Sequence, residues 1–177
     1  MDAPTAFRQQ LLGAIPRLRR YARSLVFDAS TADDLVQTAL ERALQRWRQF
    51  EPQRELLVWL LAIAHHAFLD GLRRDARFTV VDPQEASDRQ DALAADPGVD
   101  MPLRLDLVAA LGRLSPEQRE PLLLVTLEQL SYAECAEVLG IPIGTVMSRV
   151  SRARVALRAA LDGRARNPQA TVLRRVV

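Results

Sequence analysis

The chain has 177 residues, with 24 arginines, no lysine and 22 acidic residues, so its net charge is only +2. This length allows one medium domain or two small ones, and the near balance of charge excludes a polycation. The single cysteine, Cys135, excludes an intramolecular disulfide and offers no metal cluster. No signal-peptide pattern follows Met1, and the most apolar run, Leu56 to Leu69, is too short to span a bilayer. We therefore expect a cytoplasmic protein without membrane insertion.

Three helices are predicted in the first part of the chain. Apolar residues at steps of three and four predict a helix from Phe7 to Phe27, a second that begins near Ser30–Thr31, and a third from Leu56 to Arg74. Thr31 and Asp34 have the spacing of a capping box. We expect Pro16 to break or kink the first helix. The residues expected on the buried faces of the first two helices are Leu11, Leu12, Ile15, Leu18, Leu25, Val36, Leu40, Ala43, Leu44 and Trp47.

An acidic stretch over residues 79–103 separates this part from a second helical part. It contains three prolines, and its acidic residues outnumber its basic ones, a composition typical of a flexible, solvated linker. A helix is predicted from Leu105 to Leu114, and a second begins at Ser115, which can cap it, with Pro116 in the first helical position. Pro121 removes a backbone donor from that helix and is expected to bend it. Residues 163–177 form a basic tail.

The stretch from Leu130 to Leu157 predicts two helices joined by a tight turn. Ser131 and Glu134 have capping-box spacing, and Gly140 stands where a left-handed C-terminal cap is usual. The second helix, from Thr145, has one apolar face and an opposite face of arginine and hydroxyl side chains, which suits the DNA major groove. The whole chain is predicted to be all-α, with two small helical domains. The residues expected on the apolar face are Val146, Val150, Ala153, Leu157 and Leu161.

The order of these motifs resembles the extracytoplasmic-function, or group IV, sigma factors of bacterial RNA polymerase. The first part resembles sigma region 2 through TADDLVQTALERAL and WLLAIAHHAFLDGLRR, and the second resembles sigma region 4 through LSPEQREPLLLVTLEQLSYAECAEVLGIPIGTVMSRVSRARVAL. The segment IPRLRRYARSL is similar to the general-stress branch of the family. The resemblance implies a region 2-like domain over residues 1–78, the linker over 79–103, a region 4-like helix-turn-helix domain over 104–162 and the tail over 163–177.

The resemblance also implies three partners: core RNA polymerase, promoter DNA and an anti-sigma factor. In the family, region 2 docks on the clamp helices of the polymerase β′ subunit, region 4 contacts the β flap, and linker carboxylates can occupy the path of nascent RNA. An acidic and amide stripe suits a basic partner. The docking residues implied here are Asp34, Gln37, Thr38 and Glu41.

Two sets of DNA-contacting residues follow from the same resemblance. At the −10 element, the family builds a base pocket from the loop before the third helix and from an asparagine, whose position is taken here by His66. At the −35 element, Met147 stands where the family often has lysine or arginine. The implied −10 residues are Trp59, His66, Asp70, Arg73, Arg74 and Arg77. The implied −35 residues are Thr145, Met147, Ser148, Arg149, Arg152 and Arg154.

Two other functions fit parts of the pattern. One is a sigma mimic that sequesters an anti-sigma factor, and the other is a conventional helix-turn-helix regulator, which leaves the first domain unexplained. Catalysis is not expected, because no nucleophile–base pair or phosphate-binding glycine loop is found. His65, His66 and Asp70 are not expected to bind a metal, since adjacent histidines point apart on a helix. No cofactor is expected.

Overall fold

The computed structural model describes residues 3–78 and 101–165. Over these ranges the chain forms α-helices, one short 3-10 helix at Trp47–Gln49 and no strand, which confirms the predicted all-α class. Most of the predicted linker and nearly all of the predicted basic tail lie outside the described residues. The helices are α1 (Thr5–Val26), α2 (Ala29–Gln45), α3 (Leu56–Phe78), α4 (Met101–Gly112), α5 (Pro116–Thr126), α6 (Tyr132–Leu139) and α7 (Ile143–Ala165).

The first domain is a bundle of α1, α2 and α3. Small residues such as Ala32 and Ala39 line the inner face of α2 and are fully buried, which allows α1 and α3 to approach closely. Leu12 and Leu44 were predicted to be buried, but they are 64% and 43% exposed. The reason is that α2 turns its alanines inward, so Leu44 falls at the edge of a groove of about 510 Å³ between α1 and α2 that Leu12 also lines.

Two predicted details of the helix ends are wrong. The Asp28 carboxylate caps α2 by accepting the Thr31 N–H at 2.7 Å, so the helix begins before the predicted Thr31 capping box. Ser115 precedes α5 without a side-chain capping bond, although Pro116 does take the first helical position. Both α1 and α5 continue through their internal prolines, Pro16 and Pro121.

In the second domain α6 and α7 form a helix-turn-helix. The Glu134 N–H donates to Ser131 Oγ at 3.2 Å and the Ser131 N–H donates to Glu134 Oε2 at 2.8 Å, which confirms the capping box. Gly140 ends α6 with φ +63°, and the Ile141 N–H then reaches back to the Ala136 carbonyl at 3.2 Å. The helix α7 begins at Ile143, two residues earlier than predicted, because the turn that follows Gly140 is short.

The two domains pack directly on each other. α1 lies against α5 and α3 lies against α6, so buried residues of both domains belong to one continuous apolar cluster. α3 includes the apolar stretch Leu56–Arg74, which by length and composition could cross a membrane, but more than half of it is buried inside this fold. Its apolarity is therefore explained by its position at the centre of the molecule.

Cys135 is expected to be unreactive in the folded protein. Its side chain is fully buried in α6, and burial, aided by the charge of Glu120, raises the pKa of the Cys135 thiol to about 12. Because the thiolate is the nucleophile, its fraction at pH 8 falls roughly a thousandfold relative to a free cysteine. Titration with a disulfide reagent at pH 8 should give slow labelling that becomes fast in guanidinium chloride. Fast labelling without denaturant would contradict the burial of this thiol.

Gly140→Ala should lower the free energy of unfolding by about 1 kcal/mol, because a side chain is strained in the left-handed conformation at this position. Gly144→Ala is the matched control. Position 144 lies inside α7, and a Cβ there meets open space. The free energy of unfolding of Gly144→Ala should therefore stay unchanged or rise slightly. Denaturant unfolding of both variants gives the comparison, and equal effects would argue against the turn geometry.

Candidate nucleic-acid interface

The exposed side of α7 carries a compact group of polar and cationic side chains. Val146, Val150 and Ala153 are at most 1% exposed and fix this helix against the rest of the second domain. Helix geometry then turns residues three and four positions apart toward solvent on the other side. The side chains brought together there are Thr145, Ser148, Arg149 and Arg152.

The two arginines of this group have different environments. Arg152 is exposed, and its guanidinium donates to the Ser148 carbonyl and to Ser148 Oγ, both at 3.2 Å. Arg149 is 27% exposed and lies 3.5 Å from the carboxylate of Glu117 on α5. Both guanidiniums are therefore oriented before any ligand arrives, Arg152 by neutral oxygens of its own helix and Arg149 by an ion pair.

Met147 and Arg154 lie on a different flank of α7. Both are exposed, but with about 100° of rotation per residue they point well away from Arg152. If Arg152 pointed at the floor of a DNA groove, Arg154 would reach only the edge of that groove. The structure thus separates the six predicted −35 residues into a group of four and a flanking pair.

The predicted docking residues share one face of α2. Asp34, Gln37 and Glu41 are exposed and Thr38 is half-buried, as the spacing predicts. The Gln37 side-chain amide donates to Glu41 Oε1 at 2.9 Å. The stripe is therefore acidic and presented to solvent.

The predicted −10 residues fall into different settings along α3. Trp59 is half-buried in an aromatic cluster, with its ring 6.1 Å from Phe7 and 5.4 Å from Phe50. His66 is exposed, and its Nδ1 lies 2.7 Å from the Ala62 carbonyl. Because a carbonyl can only accept, Nδ1 carries the proton, and Nε2 faces solvent as an acceptor in the neutral ring.

The end of α3 is cationic. Arg42 of α2 donates to Asp70 at 2.9 Å, and this hydrogen bond, with the nearby Arg73, lowers the pKa of Asp70. Asp70 therefore orients Arg42 and partly neutralises the patch. Arg73 and Arg74 are exposed, whereas the side chain of Arg77 lies outside the described residues. In the part of the chain that the structure describes, no group of three His, Cys, Asp or Glu residues could hold a metal ion.

Sequence reasoning missed a set of polar residues that join the two domains. Buried Glu120 and Glu128 of the second domain bind Tyr21, His65 and two arginines of the first. Arg54, in the loop before α3, donates to Glu137 of α6 at 2.8 Å. The only sequence signal was the placement of Glu120 and Glu128 on either side of an apolar run.

Comparison with known proteins agrees with this arrangement. The family model "Sigma-70, region 4" matches residues 104–157, and the model "Sigma2 domain of PhyR" matches residues 11–65. The extracytoplasmic-function sigma factor EcfG of Rhodopseudomonas palustris (strain TIE-1) is 38% identical over 91% of this chain and 88% of its own length. SigC of Mycobacterium tuberculosis (strain CDC 1551 / Oshkosh) is 36% identical over 73% of this chain and 70% of its own.

A solved structure is also similar. The sigma factor RpoE of Bartonella quintana, crystallised in complex with the anti-sigma factor NepR, superposes with a TM-score of 0.77 at 34% identity, over 90% of this chain and 98% of that one. The likeness extends over both helical domains. The chain therefore belongs to the extracytoplasmic-function RNA polymerase sigma factors.

Proposed function

We propose that this protein binds core RNA polymerase in the cytoplasm and directs it to specific promoters, acting as a regulator and not as an enzyme. The first domain docks on the β′ clamp helices and melts the −10 element. The second domain binds the −35 element and contacts the β flap. Joint engagement gains from effective concentration, because one chain carries both domains.

The observation that carries this proposal is the exposed group on α7. A helix that buries one face in a helix-turn-helix, and turns Ser148, Arg149 and Arg152 outward, fits the major groove. Arginine matches guanine through two parallel hydrogen bonds, and hydroxyl groups reach bases or phosphates. Because Arg152 is exposed and points away from the buried face, it is the best candidate for a base edge.

For the −10 element, the support lies at the exposed side of α3. His66 Nε2 is an acceptor for an unpaired base, and Arg73 and Arg74 supply positive charge for the backbone of a melted strand. Trp59 is tied into aromatic packing and supports the loop from Phe50 to Glu55 rather than offering a free ring. Asp70 acts through Arg42.

An anti-sigma factor is the expected inhibitor. RpoE of Bartonella quintana is found in complex with the anti-sigma factor NepR, and CnrH, at 29% identity and TM-score 0.65, in complex with CnrY. By analogy, we propose that a protein of this class covers the docking surfaces of this chain.

Sigma mimicry remains the second candidate, because the first domain matches a model built on PhyR. Run-off transcription separates the two. Core polymerase with and without this protein would transcribe fragmented genomic DNA of the source bacterium, and transcript 5′ ends would be sequenced. New starts that share paired upstream motifs are expected. Core binding without new starts would favour the mimic. The absence of both core binding and new starts would contradict the proposal.

Arg152→Ala should reduce transcription from such a promoter by about tenfold or more, since one bidentate base contact contributes about 1–3 kcal/mol. Arg154→Ala removes the same charge from the opposite flank and should cause a smaller loss. Neither change should alter binding to core polymerase, measured by gel filtration or fluorescence. Equal activity of the wild type and Arg152→Ala would show that the recognition residues are wrongly assigned.

Asp34→Asn combined with Glu41→Gln should slow association with core polymerase several-fold at low salt, and the difference should shrink as salt rises, because the charges steer the encounter. The control is Asp33→Asn, one residue away on α2, which pairs with Arg19 inside the first domain. Stopped-flow association rates test this. A control that slows association as much as the double variant would refute the assigned face.

A further inference from the structure

Beside its polar group, α7 exposes two large apolar side chains near its start. Ile143 and Met147 are 49% and 52% exposed. They stand four residues apart, so helix geometry places them one above the other on the same side of the helix. These two residues form the apolar flank of α7, and both lie within its first two turns.

The apolar flank and the Arg152 guanidinium lie at a similar height along α7. Arg152 follows Met147 by five residues, but its guanidinium bends back and donates to the Ser148 carbonyl and to Ser148 Oγ, both at 3.2 Å. Met147 precedes Ser148 by one residue, which is about 1.5 Å along the axis. The Met147 and Arg152 side chains are therefore separated around the helix rather than along it. For a helix about 11 Å wide, their ends lie about 10 Å apart, which is about three base-pair steps.

The chemistry of the apolar flank restricts what it can contact on DNA. Isoleucine has no polar side-chain atom and the methionine sulfur is only a weak acceptor, so neither can donate a hydrogen bond to a phosphate. The apolar group that base pairs display in the major groove is the C5-methyl group of thymine. This methyl projects toward the wall of the groove, near the backbone of its own strand. A helix that points Arg152 at the middle of the groove points its flank toward that wall.

The surroundings of Met147 allow a close approach to a base. Gly144 lies one turn before it, and a Cβ at this glycine would meet open space. The cation on the same side, Arg154, follows Met147 by seven residues, which is about 10 Å farther along the axis. The flank is thus apolar where α7 begins, and the N-terminal residues of a recognition helix are the ones that contact base edges. An unbranched methionine also adapts its shape to its partner.

We propose that Met147, supported by Ile143, contacts the C5-methyl group of a thymine in the −35 element, within about three base pairs of the base that Arg152 contacts. Met147 is then a specificity-determining residue that recognises a base by apolar contact. The inference rests on the proposed function, because it requires α7 to bind the −35 element. Burial of one methyl group against an apolar side chain contributes about a fourfold preference for thymine over uracil.

The test replaces thymine by deoxyuridine, which lacks only the C5-methyl group. Each thymine on either strand of a −35 element found by run-off transcription is replaced in turn. Binding of the holoenzyme, reconstituted from core polymerase and this protein, is measured by fluorescence anisotropy. At one thymine, the wild type should bind the uracil-containing duplex about fourfold more weakly. Met147→Ala should bind the two duplexes equally well.

Two further variants serve as controls. Met147→Leu keeps an apolar side chain of similar volume and should keep most of the preference for thymine. Val155→Ala removes apolar surface from the same helix, at a residue that is 68% exposed and about 12 Å farther along the axis. It should keep the whole preference. Because Met147 is half exposed, its truncation leaves no internal cavity, and circular dichroism should show equal helix content in all variants.

The possible outcomes separate this inference from the proposed function. In an active holoenzyme, a −35 element without a thymine effect, an undiminished effect in Met147→Ala, or an equal loss in Val155→Ala would each overturn the thymine contact and leave the proposed function intact. If Met147→Ala weakened binding to core polymerase and left the uracil effect unchanged, the apolar flank would contact a protein and the inference would be wrong. If the wild type formed no holoenzyme that depends on a −35 element, the proposed function would fail and the thymine contact with it.

Discussion

The position of the two domains depends on how the negative charge of Glu128 is compensated. Its carboxylate is removed from water on the inner side of the second domain, and no cation of that domain pairs with it among the described residues. Arg17 and Arg20 of α1 provide the charge, and they fix the register of α1 against the segment after α5. Apolar contacts between the domains supply buried surface. The charge pairing selects one orientation of the domains, since apolar burial alone is not directional.

Each domain nevertheless has an interior of its own. In the first domain, buried alanines of α2 set close helix spacing, and the aromatic cluster around Trp59 closes one end. In the second, Val146 and Val150 anchor α7, while the Gly140 cap sets its direction. The surfaces assigned to partners, on α2 and α7, therefore lie on helices that are packed within their own domain.

Sequence reasoning succeeded where the information is local. The Ser131 capping box and the Gly140 turn follow from neighbouring residues, and the α7 face follows from helical periodicity. It failed where a choice depends on distant packing. Periodicity alone did not distinguish Leu44 from the inward-facing alanines of α2, and nothing near Glu128 in the sequence indicates that α1 meets it. The domain contact was missed for the same reason, since its hydrogen bonds join residues far apart in the chain.

If α7 binds the −35 element as proposed, the ion pair between Arg149 and Glu117 has a consequence for promoter choice. An arginine with no alternative partner is penalised when its base is wrong, because it stays buried and unsatisfied. Arg149 can instead keep its ion pair with Glu117 when the base beneath it is unsuitable, so the loss of binding free energy at a mismatched base is smaller. Arg152 has only neutral oxygens to return to. We therefore expect the promoters that this protein recognises to vary more in sequence at the base contacted by Arg149 than at the base contacted by Arg152.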